Sequence, residues 1–206
     1  MKNADTRYKA VGLLSGGLDS AIAAKLLLDQ GLEVHAVTIA MPWGCGTPSR
    51  AVTLARRLGM PLKVIPLADD YLSILTRPKY GFGSAHNPCI DCHIYMVRKA
   101  ADHMRAIGGS FVFTGEVLGQ RPMSQRRECL EWVAQDSGIP GRLLRPLSAQ
   151  LLPETIPEQE GIVDRAKLLD ISGRSRRRQY ELAARLGVDG YSAPGGGCLL
   201  TEKVFG

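Results

Sequence analysis

The chain opens on an alternation that leaves few folds available to it. "KAVGLLS" is an apolar run that reads as a buried strand. "DSAIAAKLLLDQG" has helical spacing and stops at Gly31, and "LEVHAVTIA" is a second strand. The pattern repeats, with "SRAVTLARRLG" a helix closed by Gly59 and "MPLKVIPL" a third strand. Strands alternating with helices at this spacing form βαβ units of a mostly parallel sheet. From Arg77 to Pro88, "RPKYGFGSAHNP" is irregular. A long helix is expected from Cys92 to Ile107, stopped by Gly108 and Gly109. "SFVFTG" is another short buried strand, "MSQRRECLEWVAQ" is helical, and "RLLRPLS" is the last strand. Then "LLPETIPEQEGIVDRAKLL" is Pro-rich and acidic before turning helical. "SGRSRRRQYELAARLG" is a basic helix with a serine cap signal, and "YSAPGGGCLLTEKVFG" suits a turn. At 206 residues the chain can build one sizeable core with a small appendage. The expectation is an α/β domain over residues 1–152, a mostly parallel sheet flanked by helices, and a helical lobe over residues 153–206.

The junction "SGGLDS" joins the first strand to an amphipathic helix. A loop entering a helix N-terminus aims backbone N–H groups outward, which favours an anion. Gly16 and Gly17 let that backbone approach the anion closely, and Ser15 and Ser20 add hydroxyl donors. Asp19 repels phosphate directly, so its roles are to cap the turn or to reach phosphates through Mg²⁺. The plainer alternative is a glycine turn with Asp19 and Ser20 in an ordinary first helical turn. There is no lysine in the stretch, so the usual phosphate-loop reading does not apply.

Five cysteines stand in the chain: Cys45, Cys89, Cys92, Cys129 and Cys198. An odd count, with one C-x-x-C pair and no apolar export signal in "MKNADTRYKA", argues for metal or thiol chemistry over a disulfide framework. In "NPCIDCH", Cys89 and Cys92 are spaced to share a metal, and a helix start favours their thiolates. Cys198 follows three glycines that permit a bulky inorganic group to come close. Other readings stay open. Cys198 is a buried small residue, the pair is a redox dithiol, or the three hold Zn²⁺ with His93 or His86. Cys45, in "MPWGCGTPSR", is either near the site or a neutral loop thiol, and Cys129 reads as packing.

"SGGLDS" resembles the SGG-x-DS pyrophosphate loop of the ATP-pyrophosphatase superfamily, whose members split ATP between its α and β phosphates and adenylate an oxygen. The missing lysine fits that resemblance. It implies ATP with Mg²⁺ at Ser15, Gly16, Gly17, Asp19 and Ser20, with adenine near Thr38, Ile39, Ala40 and Met41. "FTGEVLGQRPMSQ" is similar to the TGE-x-LGQ-x-x-SQ stretch of tRNA 4-thiouridine synthetases. That similarity adds Gly115, Gly119 and Gln120 to the nucleotide set, and puts Ser124 and Gln125 by the nucleotide or target base. Glu116 is a polar site residue or a strand-end cap. The resemblance covers the pyrophosphatase domain and not the RNA-binding N-terminal domains or the rhodanese domain of that family. Three-cysteine tRNA thiolases are similar at Cys89, Cys92 and Cys198, which implies a 4Fe–4S cluster with one iron free of protein ligands. Zn²⁺, or no metal and a cysteine persulfide, are the alternatives.

These resemblances imply uridine thiolation by adenylation of the base oxygen and sulfur transfer, with Asp19, Cys89 and Cys198 catalytic. The sulfur would come from free sulfide or a cysteine desulfurase. The net charge of +6 permits a polyanionic partner. Arg174, Arg176, Arg177 and Arg178 cluster at one helix start, and Arg126 and Arg127 form a second pair. A cationic first turn opposes the helix dipole unless an anion neutralises it, so these arginines are expected to contact RNA. The alternative is a solvated basic face. Two competing functions are an ATP-dependent sulfur transferase or ligase for a small molecule or cofactor precursor, and a non-catalytic nucleotide-binding metalloprotein. No apolar run reaches membrane-span length, so a cytoplasmic protein is expected, and a homodimer would widen its basic surface.

Overall fold

The structure is a computed structural model describing residues 8–44, 48–192 and 198–204. Cys45 and the three glycines before Cys198 lie outside the described residues.

Five strands form one sheet: β1 (Lys9–Leu13), β2 (Glu33–Ala40), β3 (Leu62–Pro66), β4 (Phe111–Phe113) and β5 (Leu143–Leu144). All pairings are parallel and the spatial order is β3-β2-β1-β4-β5. The period of two along each strand divides the core. Ala10, Val34, Ala36, Phe111, Phe113 and Leu144 face one side, and Val11, Val37, Val112 and Leu143 face the other. The edge strand β3 is mostly exposed and carries Lys63 and Pro66, features that discourage further strand pairing.

The helices are α1 (Leu18–Leu28), α2 (Pro48–Arg57), α3 (Leu72–Thr76), α4 (Cys89–Ala106), α5 (Arg127–Asp136), α6 (Ile156–Gln159) and α7 (Arg177–Arg185). α1 and α2 pack on the first face, while α4 and α5 cover the second. α1 is not amphipathic in place: Leu18, Ser20, Ala21, Ile22, Ala23, Ala24, Leu26 and Leu27 are all buried. The reason is tertiary, because α7 packs on its outer side.

Three elements depart from the sequence expectation. α4 begins at Cys89, directly after Pro88, so both cysteines of the pair belong to its first turn. Only α6 and a 3-10 turn at Arg165–Lys167 form in the acidic segment, where Pro153 and Pro157 interrupt helical spacing. The N-cap of α7 is Arg176 rather than a serine; Ser175 Oγ sits only 3.5 Å from the Arg177 backbone N–H. Beyond Pro153, Val163, Leu168, Ile171, Leu182 and Val188 share the core of the α1 face.

Candidate active site

From β1 the chain steps outward to β2 and β3, then returns on the other side of β1 as β4. Connections leaving the C-terminal ends of β1 and β4 therefore diverge, and such a crevice is where open parallel sheets bind ligands. A cavity of about 230 Å³ opens there.

The SGGLDS loop lines one side. Gly17 is the N-cap of α1, and no side chain caps the first turn. Gly16 has φ +80°, and a Cβ on it would meet Arg50 Cβ at 2.6 Å, so only glycine fits. Ser20 Oγ donates to the Gly17 carbonyl at 2.9 Å. A Cβ on Gly115 would lie 2.5 Å from the Ser20 backbone nitrogen, so the segment after β4 rests directly on this first turn.

Asp19 is the charged group of the loop. Gln120 Nε2 donates to its Oδ2 at 2.7 Å, and Arg176 Nε stands 3.7 Å from the same oxygen. Oδ1 is buried with no hydrogen-bond partner. Burial raises the Asp19 pKa above its ordinary value, against the lowering effects of Gln120, Arg176 and Arg121. Gln179 Nε2 donates to Gln120 Oε1 at 2.9 Å, so two amides tie the start of α7 to the loop. Farther along, the Ser192 N–H donates to the Gly16 carbonyl at 2.9 Å.

Sulfur lines another side. Cys89, Cys92 and Cys198 all reach the cavity wall. The Cys198 thiol donates to the Trp43 carbonyl at 3.0 Å, and Cys92 Sγ lies 3.8 Å from Met41 Sδ. Tyr71 lies against them, its phenol pKa raised by burial and further by Cys92 and Cys198. Among the described residues no group of three or more His, Cys, Asp or Glu side chains is gathered to hold a single metal ion.

A buried charged string runs behind the thiols. His93 Nδ1 is 2.7 Å from Glu116 Oε1, and Glu116 Oε2 accepts from Arg145 Nε and Thr114 Oγ1, each at 2.9 Å. Burial acts to raise the Glu116 pKa, but Arg145 and His93 outweigh it and hold the carboxyl well below the usual range. Burial acts to lower the His93 pKa, yet the hydrogen bonds the protonated ring donates to Cys89 and Glu116 carry it well above the ordinary value.

Of the nucleotide set, Ser15, Gly17, Asp19, Ser20, Thr38, Ile39, Met41, Gly115 and Gln120 line the cavity, and so do Glu116 and Gln125. Gly16, Ala40, Gly119 and Ser124 lie outside its wall. His93 lines it, and His86 instead packs edge-on against Phe82. Among the six arginines only Arg176 lines it. Arg177 pairs with Glu181 at 2.9 Å, Arg178 with Asp170 at 2.6 Å, and Arg127 donates to the Leu151 carbonyl at 3.1 Å. Arg126 and Arg174 are exposed and carry no ion pair among the described residues. Trp43, Arg50, Tyr71, Arg121 and Arg145 were not singled out from the sequence. Arg145 had a signal, a charge between the buried Leu143–Leu144 pair and Pro146, which requires a buried partner.

A parallel sheet with this loop at its switch point defines a pyrophosphate-loop α/β protein. The chain belongs to the ThiI family: the family model described as thiamine biosynthesis protein (ThiI) matches residues 5–151. A probable tRNA sulfurtransferase of Thermococcus kodakarensis is 30% identical over 171 residues, covering 79% of this chain and 41% of that protein. A tRNA-specific 2-thiouridylase MnmA of Dehalococcoides mccartyi is 34% identical over 104 residues, 45% of this chain and 29% of that one. The chain thus spans well under half the length of these relatives. The crystal structure of a predicted tRNA methyltransferase subunit from Methanocaldococcus jannaschii has a TM-score of 0.52 and 18% identity. It covers 86% of this chain and 76% of that one, a likeness that bears on the fold. Among the described residues no helix is long and apolar enough to cross a membrane.

Proposed function

We propose that this protein is an ATP-dependent sulfurtransferase that thiolates uridine in tRNA. The carrying observation is that the SGGLDS loop and three cysteines from distant parts of the chain line one cavity. Its named relatives act on tRNA, and the basic Arg126 and Arg174 suit a phosphate backbone.

Replacing a carbonyl oxygen by sulfur requires the oxygen to leave, and oxide leaves poorly. In this reading the uridine oxygen attacks the α-phosphorus of ATP, and the bond to pyrophosphate breaks. The α1 N-terminus and the Ser15 and Ser20 hydroxyls stabilise the departing charge. Asp19 Oδ1 is buried and without a hydrogen-bond partner, which supports the reading that Asp19 would hold Mg²⁺. Sulfur then attacks the activated carbon and AMP departs.

Cys89, Cys92 and Cys198 would hold a 4Fe–4S cluster. Three thiols lining one cavity match the thiolate donors such a cluster takes. When bound, the cluster would supply an iron that can carry sulfide. Without it, a persulfide on Cys89 or Cys198, charged by a cysteine desulfurase, would attack the activated carbon as AMP leaves. A second cysteine would then attack the carrier sulfur, releasing the thiouridine and leaving a protein disulfide for an external dithiol to reduce. Residues 1–152 would carry the nucleotide chemistry and residues 153–206 would supply Cys198 and Arg176.

A smaller acceptor is the second reading, favoured by the engagement of Arg177 and Arg178 with Glu181 and Asp170. The test incubates anaerobically purified protein with ATP, Mg²⁺, sulfide and unmodified tRNA. Formation of AMP and pyrophosphate together with thiouridine in digested tRNA is the expected result. AMP formation without thiouridine means that tRNA is adenylated but free sulfide is not the donor. No AMP from protein that binds ATP supports the smaller acceptor, and failure to bind ATP with Mg²⁺ overturns the assignment.

A further inference from the structure

Arg176 departs from the other arginines of its cluster. Arg174, Arg177 and Arg178 are exposed, while Arg176 reaches the cavity beside Asp19. Its placement is set by the fold, because Gln179, three residues on, is fully buried and anchors α7 to Gln120 and so to Asp19. The ion pair is incomplete. At 3.7 Å it is long for a hydrogen bond, Gln120 already occupies the same carboxylate oxygen, and Oδ1 is buried and without a partner. A guanidinium held this loosely can turn to another anion, and its planar fork suits phosphate.

We propose that Arg176 binds the pyrophosphate portion of the nucleotide, and that Asp19 holds it in reserve until Mg²⁺ claims the carboxylate. This rests on the reading of the SGGLDS loop as the nucleotide site and assigns the residue that completes it. The guanidinium exchanges one negative partner for another, so the site never holds an uncompensated charge. The value of Arg176 to an anion therefore depends on whether Asp19 is competing for it.

The test is a double-mutant cycle on the full chain, reading the affinity for inorganic pyrophosphate by calorimetry in the absence of Mg²⁺. Asp19→Asn should tighten binding about three- to tenfold, both by removing repulsion and by releasing Arg176. Arg176→Gln should weaken binding in both backgrounds, and by about threefold or more beyond its wild-type effect when Asp19 is Asn, since simple repulsion would act equally on both. Arg176→Lys keeps the charge without the fork and should fall between, which preserves the test if the glutamine variant folds poorly. Equal losses in the two backgrounds, or no loss, would overturn the proposal. If wild-type protein binds neither pyrophosphate nor ATP even with Mg²⁺, the nucleotide site itself is misassigned. Binding that ignores Arg176 removes only this residue.

Discussion

His93 Nδ1 lies 2.7 Å from Glu116 Oε1, while Arg145 Nε donates to the other carboxylate oxygen at 2.9 Å. Arg145 and Glu116 side chains are only 6% and 5% exposed, so neither has water to fall back on. The string joins the end of β4 to the end of β5 and supports the first turn of α4, where Cys89 and Cys92 stand. A buried carboxylate in this position is a structural commitment, because its removal leaves Arg145 charged and unpaired.

Glu116→Gln should destabilise the fold by about 3–5 kcal/mol. The pH dependence gives a second readout. The Glu116 carboxyl is held below its ordinary value of 4.5, so its contribution is fully present above that pH and fades as pH falls toward the folded-state value. Urea unfolding at a series of acidic pH values should show a loss of wild-type stability that is shallower in the variant. Parallel curves would mean that Glu116 does not carry the charge assigned to it.

Cys198→Ser should leave ATP binding intact and abolish sulfur transfer. Cys198 lines the cavity with Cys89 and Cys92 and takes no part in the SGGLDS loop. Anaerobic wild-type protein should show a broad brown absorption and about four irons per chain, both diminished in the variant. Wild-type protein that takes up no iron on reconstitution, yet loses activity in the variant, would point to a persulfide instead. Unchanged metal content and activity would remove Cys198 from the site.

The arginines should not be equivalent in RNA binding. Arg126→Ala and Arg174→Ala should each weaken tRNA binding and lower the salt slope by about one. Arg177 and Arg178 must first give up Glu181 and Asp170, so their alanine variants should have smaller effects. Filter-binding titrations over a range of salt concentrations separate the two classes. Equal slopes for all four variants would show that the ion pairs do not compete with RNA.

Strands and crossovers were legible because apolar runs and glycine stops are local signals. "KAVGLLS" became β1, and the helix end at Gly31 carries φ +82°. The start of α4 was misplaced because Pro88 ends the irregular segment more sharply than the cysteine spacing suggests. The loop and the cysteines were visible as motifs. Tyr71 was not, since an aromatic in the short turn Asp69–Tyr71 becomes a site residue only through partners far away. The charge of Arg145 after the Leu143–Leu144 pair signals a buried partner without saying which one. Arg176 shows the same limit. Four clustered arginines look alike in the sequence, and only the anchoring of α7 through Gln179 distinguishes the one that turns inward.

The Ser192 N–H bonds to the Gly16 carbonyl, and its hydroxyl lies 3.2 Å from that same oxygen, 176 residues away along the chain. A ribosome releases Gly16 long before Ser192, Arg176 or Cys198. The nascent chain can pair its first strands and bury α1 in part, but it cannot complete the cavity until Arg176, Ser192 and Cys198 have been synthesised. Translation order therefore keeps the SGGLDS loop and Cys198 apart until the intervening strands and helices are in place.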